Sequence, residues 1–215
     1  MTMYEYFTQA SNVEWCEDKY VITPYIAEFW NTLTGVPYMY MAIIGALTAR
    51  TRFERILWTE VFFIGFGTSM FHGTLTLGGQ LIDEIAIILF LMTSSMRLNR
   101  VNQLYQATIY VASVILMLIY PQINCYMLFG VGLSVAVPLG TKMLTERYDR
   151  PQIFITGLLT IAGIICWSID KFECGGWGYL HAIWHIIMLP VIKNVIALST
   201  RTINLVEHFS RSNRV

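Results

Sequence analysis

Gly67-Thr68-Ser69-Met70-Phe71-His72 closes one apolar run, and His181-Ala182-Ile183-Trp184-His185 opens another more than a hundred positions later. Together they hold three of the four histidines in the chain. Ionisable side chains are costly in apolar segments and usually mark function, so the reading turns on whether the fold gathers these three. His181 and His185 are four apart, which on a helix places both imidazoles on one face. Two such ligands and a third histidine, with water in the fourth position, form the donor set of a catalytic zinc site. The competing reading is three separate interhelical hydrogen bonds. Asp83 follows His72 by eleven positions, across a stretch holding Gly73, Gly78 and Gly79 that is expected to turn tightly. Its carboxylate suits a proton acceptor beside such a site or an orienting partner for a histidine. A first-turn acid favoured by the helix dipole is the other reading, and Glu84 fits that one better. Thr68 stands one helical turn before His72 and can present its hydroxyl to the same cavity, with Ser69 as the adjacent alternative.

The rest of the chain says what kind of fold carries these residues. Hydrophobic residues are 55% and charged residues 13% of the 215 positions, and mean hydropathy is +0.54. So few charges cannot cover a soluble surface, which points to a polytopic membrane protein. Net charge is zero and no long basic block occurs, which argues against a nucleic-acid partner. Met1 to Asp18 lacks the basic-then-apolar order of a cleavable signal, so the first apolar run is expected to serve as its own targeting signal.

Runs near the spanning length of about 17–25 residues occur at 26–49, 56–72, 80–97, 104–120, 123–140, 152–169 and 179–199. The expected fold is therefore an all-α bundle of seven transmembrane helices. Residues 1–25 form an acidic lumenal segment, 26–199 the helical domain and 200–215 a short cytosolic tail. Positions 21–31 read as an interfacial lead-in, set off by Gly35-Val36-Pro37. Basic residues stay in the cytoplasm. Alternate loops and the tail hold twelve (Arg50, Arg52, Arg55, Arg97, Arg100, Lys142, Arg147, Arg150, Lys193, Arg201, Arg211 and Arg214), against Lys19 and Lys171 on the other side. That ratio places the amino terminus in the lumen or outside the cell and the carboxy terminus in the cytosol. It also puts His72, Asp83, His181 and His185 at one depth near the lumenal face. His208 falls in the tail and takes no site role.

A second cluster, Glu14-Trp15-Cys16-Glu17-Asp18-Lys19 followed by Glu28, offers hard oxygen donors of the kind Ca²⁺ collects in sets of about six to eight. No EF-hand spacing accompanies it, and a solvated acidic turn is the competing reading. The four cysteines form no CxxC pattern. Cys16 and Cys174 would both face an oxidising lumen, where a disulfide could tie the amino-terminal segment over the bundle mouth. Cys125 is a competing partner, and Cys166 reads as packing.

The chain resembles the alkaline ceramidases, within the seven-helix membrane hydrolases that also include the adiponectin receptors. The resemblance is carried by Glu14-Trp15-Cys16-Glu17, by Tyr25-Ile-Ala-Glu28-Phe-Trp-Asn31-Thr, by Phe71-His72-x-Thr74-Leu75 with Gln80-Leu-Ile-Asp83-Glu84, and by His181-x-x-Trp184-His185. It implies a zinc-dependent amidase of the endoplasmic reticulum or Golgi membrane that takes ceramide from among the bilayer lipids. It also implies zinc on His72, His181 and His185, Asp83 as the base, and Thr68 where a serine is usual as the oxyanion donor. Calcium is implied at Glu14, the Trp15 carbonyl, Glu17, position 19 and Glu28, with calcium stimulation of activity. Position 19 departs from that pattern, being Lys19 where an oxygen-bearing side chain is usual; either its carbonyl substitutes, Asp18 shifts in, or calcium binds more weakly. The alternative function within the group is a receptor of the adiponectin-receptor type with a structural zinc.

Overall fold

The computed structural model describes residues 2–99, 102–145 and 150–212. Arg100, Arg147 and Arg214, three of the residues used to orient the chain, lie outside the described residues. Among the described residues the chain forms nine α-helices: α1 (Met3–Thr8), α2 (Phe29–Leu33), α3 (Gly35–Thr48), α4 (Arg52–Thr74), α5 (Leu77–Asn99), α6 (Gln103–Ile119), α7 (Asn124–Thr145), α8 (Arg150–Phe172) and α9 (Leu180–Ser212). A 3₁₀ turn at Pro121–Ile123 leads into α7. The helix starts use side-chain oxygens where the sequence supplies them. Thr2 and Glu5 close a reciprocal capping box on α1, and Thr51 and Asn102 accept the orphan amides of α4 and α6.

All seven apolar runs are helical, with boundaries that differ in instructive ways. The first run breaks at Thr34 into α2 and α3, and not at Gly35-Val36-Pro37. Pro37 sits in the first turn of α3, where a missing N–H leaves no helical bond unmade. The turn between α4 and α5 is made by Leu75, in the left-handed region at φ 49°, with its N–H donating to the Phe71 carbonyl at 2.7 Å. The glycines expected to make that turn lie inside the two helices instead. Because α5 starts at Leu77, Asp83 and Glu84 stand beyond its first turn, and the helix-dipole reading of either residue falls away.

Spans 121–144, 150–172 and 180–201 are each long and apolar enough to cross a membrane. The remaining helices miss that mark for identifiable reasons. The 14 residues of α3 rise only about 21 Å against a hydrocarbon core about 30 Å thick, and α4 and α5 carry Glu60, Asp83 and Glu84 in their interiors. On α8, Ile155, Leu158, Ile161 and Ile165 are all more than half exposed. That apolar outer face suits a lipid surrounding.

The bundle packs around Tyr38, Leu57, Val61, Ile64, Phe90, Val195 and Ile196. Two close approaches set the register that matters below. A Cβ on Gly65 would lie 2.5 Å from the Gly35 carbonyl oxygen, so α3 and α4 touch backbone to backbone. A Cβ on Gly67 would lie 2.6 Å from Asp83 Cα, so α4 and α5 do the same one residue before Thr68.

The amino-terminal segment is strapped across one end of this bundle. Ser11 N–H donates to the Leu75 carbonyl and Leu77 N–H to that of Gln9, at 2.9 Å each, and Asn12 N–H donates to Gln80 Oε1. Cys16 and Cys174 form a disulfide. The structure thus selects Cys174 and leaves Cys125 and Cys166 as free thiols.

Candidate metal centre

His72 comes from the last turn of α4, His181 and His185 from the first turns of α9. All three rings are buried, and their ligand atoms lie within 4.8 Å of one another. Ring centroids are 4.5 Å apart for His181 and His185, and 5.0 and 5.2 Å from His72 to each. Rings so close would ordinarily be satisfied by hydrogen bonds to their surroundings. Instead His72 Nε2, His185 Nε2 and His181 Nδ1 are buried with no hydrogen-bond partner.

The opposite ring nitrogens explain why two of these atoms carry lone pairs. His72 Nδ1–H donates to Glu28 Oε2 at 2.6 Å. The single proton of Thr34 Oγ1 goes to the Asn31 carbonyl at 2.7 Å, so the 2.6 Å contact between that hydroxyl and His185 Nδ1 has the imidazole as donor. Both tautomers are therefore held with Nε2 free, the arrangement by which a carboxylate or hydroxyl orients a metal-binding histidine. His181 is held differently, its ring stacked on Trp15 with centroids 3.6 Å apart. Three inward nitrogens without a hydrogen-bond partner, two of them fixed as lone pairs, fit a zinc ion with an open fourth position.

Asp83 and Thr68 meet beside this cluster, on the faces that Gly67 brings into contact. Thr68 Oγ1 donates to Asp83 Oδ1 at 2.7 Å, both residues being buried. Ser69 points elsewhere, with its hydroxyl donating to the Thr32 carbonyl at 3.1 Å.

Backbone pairing delivers Glu28 to His72. Ala27 N–H donates to the Gly73 carbonyl and Glu28 N–H to that of His72, so the two residues close the open end of α4. Glu28 is fully buried, and its Oε2 also accepts from Asn31 Nδ2. Glu17 is buried against the start of α2, where its two oxygens accept the N–H groups of Trp30 and Asn31 at 2.6 and 2.8 Å. Burial raises the Glu17 carboxyl above its ordinary value, and those two amides pull it part of the way back.

The five positions expected to bind calcium are thus unequal. Glu14 is exposed, both Glu17 oxygens are committed to amides, and Lys19 brings an ammonium. That ammonium donates to the Trp15 carbonyl and lies 3.5 Å from Glu28 Oε1. The Lys19 ammonium thus lies against two of the oxygens expected to bind calcium, the Trp15 carbonyl and Glu28 Oε1.

Two residues around the centre, Thr34 and Asp170, stand outside the motifs that point to it. Thr34 reads as an ordinary polar residue just past the lead-in. Asp170, expected in a loop, lies in the last turn of α8 and accepts from Cys16 N–H at 3.0 Å and His181 N–H at 3.3 Å, joining the strap to the first turn of α9. Glu84 accepts from Gln80 and Asn124 in a buried network linking α5 to α7. A carboxylate followed by Asn and Thr at helical spacing was the one available signal for the Glu28 group.

The model of one protein family, described as Ceramidase, matches residues 7–208. Alkaline ceramidase 1 of Homo sapiens is 28% identical over 208 residues, covering 84% of this chain and 78% of its own. The alkaline ceramidase of Arabidopsis thaliana is 29% identical over 199 residues, covering 83% and 78%. That of Drosophila melanogaster is 26% identical over 218 residues, covering 88% and 76%.

Proposed function

Since the chain belongs to the ceramidase family, we propose that it is an integral membrane amidase that hydrolyses ceramide to a sphingoid base and a free fatty acid. The observation that carries the mechanism is the trio of buried imidazoles with inward nitrogens lacking any partner, beside a buried carboxylate–hydroxyl pair. The ion is zinc, held by His72, His181 and His185. The seven apolar runs each cross the bilayer, the first as α2 and α3 together, with the strapped end of the bundle in the lumen.

Bound there, zinc supplies Lewis acidity for the amide carbonyl and lowers the pKa of a water beside it. Asp83 has Oδ1 engaged by Thr68 and takes the water proton on Oδ2 as general base. The water oxygen adds to the amide carbon, the C–N bond breaks, and Asp83 returns the proton to the departing nitrogen. Thr68 has a single proton, which rests on Asp83. Once Asp83 is protonated that hydroxyl is released, and it turns to the developing oxyanion. An apolar groove of about 520 Å³ runs along α5 past Leu81, Ile82 and Ile85, with Phe7 of α1, Phe63 of α4 and Leu118 of α6 on its other walls. It suits an alkyl chain arriving laterally from the bilayer.

The test is purification of the full-length protein, measurement of bound zinc, and release of fatty acid from a defined ceramide before and after zinc removal. Zinc-dependent release, lost in His181→Ala and Asp83→Asn, is expected. Full zinc content and normal turnover in both variants would sink the mechanism, and stoichiometric zinc with no turnover in the unmodified protein would favour the receptor reading.

A further inference from the structure

We infer that Lys19 is a built-in cation that replaces a divalent ion, so that this chain orders its metal centre without calcium. The inference rests on where one ammonium lies. Tyr20 adopts φ 61° and closes the excursion to Ala27 through its own N–H at 2.7 Å, which turns the chain back on itself. The Lys19 side chain reaches across that turn to the Trp15 carbonyl and to Glu28 Oε1. Glu28 is fully buried, and Oε1 has no hydrogen-bond partner apart from this ion pair. A buried carboxylate without a cation is strongly unfavourable, and the ammonium supplies that charge.

The two contacts of the ammonium lead to two different zinc-site histidines. Through Glu28 it reaches His72, whose Nδ1–H donates to Glu28 Oε2 at 2.6 Å. Through Trp15 it reaches His181, which stacks on the indole ring. Lys19 therefore acts as a positioning residue for two ligands at once, the task a divalent ion at the same spot would perform. A calcium ion would have to displace the ammonium from both oxygens while gaining no side-chain donor from position 19. The Lys19 side chain is 31% exposed, so solution ions can compete for the place and the outcome is thermodynamic, not a matter of access.

The experiment uses zinc-loaded full-length protein in detergent, with calcium uptake measured by equilibrium dialysis and the melting temperature followed as calcium is titrated against a magnesium control. Neither readout involves ceramide, so the result is independent of whether the chain is a ceramidase. The unmodified protein is expected to take up no stoichiometric calcium at millimolar concentration and to show no calcium-specific rise in Tm. Lys19→Asn, which exchanges the ammonium for an amide oxygen, is expected to gain both. Lys19→Met is expected to bind zinc about 10–100-fold more weakly, as losing an orienting partner does, while Lys19→Arg keeps the unmodified affinity. Stoichiometric calcium uptake with a rise in Tm by the unmodified protein would overturn the inference, whatever the variants do. So would unchanged zinc affinity in Lys19→Met.

Discussion

Gly67→Ala tests whether contact between α4 and α5 is what sets the Thr68–Asp83 pair proposed to carry the chemistry. The added Cβ would meet Asp83 Cα at 2.6 Å and Asp83 N at 2.7 Å, both backbone atoms that no rotamer change can clear. Ordinary van der Waals contact begins at 3.4 Å, so the helices must part by about 0.8 Å at this level. The Thr68–Asp83 hydrogen bond, now 2.7 Å, then stretches to about 3.5 Å, the edge of what counts as a bond. Overpacking of this size costs about 1–3 kcal/mol, or a melting temperature lower by on the order of 5 °C for a chain of this length. The catalytic cost is of comparable size, since a displacement near 1 Å is worth about 10²-fold in rate, or about 2.7 kcal/mol of barrier. The three histidines do not depend on this contact, so zinc stays bound. Zinc content, a thermal melt and single-substrate kinetics on one preparation separate these effects. Turnover within about twofold of the unmodified enzyme, at an undiminished melting temperature, would refute the claim that the Gly67 contact sets the geometry.

Three further outcomes follow from the same geometry. Asp83→Asn keeps the shape and the Thr68 contact but removes the proton acceptor, so kcat should fall about 10²–10⁴-fold at full zinc content, measured by fatty-acid release. Thr68→Val should cost about 10²–10³-fold in kcat with little change in KM, while Thr68→Ser restores the hydroxyl and most of the rate; equal rates for Val and Ser would remove Thr68 from the chemistry. Cys16→Ser or Cys174→Ser opens a bridge across 158 positions, worth at most about 5 kcal/mol by loop closure. It should lower the melting temperature and speed zinc loss, because Trp15 on His181 and Glu17 on α2 are tied down beside it.

What the sequence made legible is what periodicity and charge can carry. The spacing of His181 and His185 places both on one face of any helix, and the run ending at His72 needs only a neighbouring bundle end to join them. The seven apolar runs are helical as expected. The sidedness of the termini is read from the distribution of basic residues alone. What sequence could not carry is contact between segments. Glu28 looked like one acid in an acidic cluster, and only the pairing of Ala27 and Glu28 with the open end of α4 makes it the partner of His72. Gly78 and Gly79 looked like turn residues, yet Leu75 makes the turn; a glycine marks close approach or a bend alike until the opposing surface is known. The departure at position 19 was visible from the start, and what it meant was not. A lysine in a place that asks for an oxygen can weaken a metal site, shift it by a residue, or take the ion's place. The choice depends on whether the side chain points away from the acids or in among them. Here the left-handed turn at Tyr20 folds it in, onto Glu28, and so a single substitution changes the origin of a charge while the support it gives to His72 and His181 stays in place.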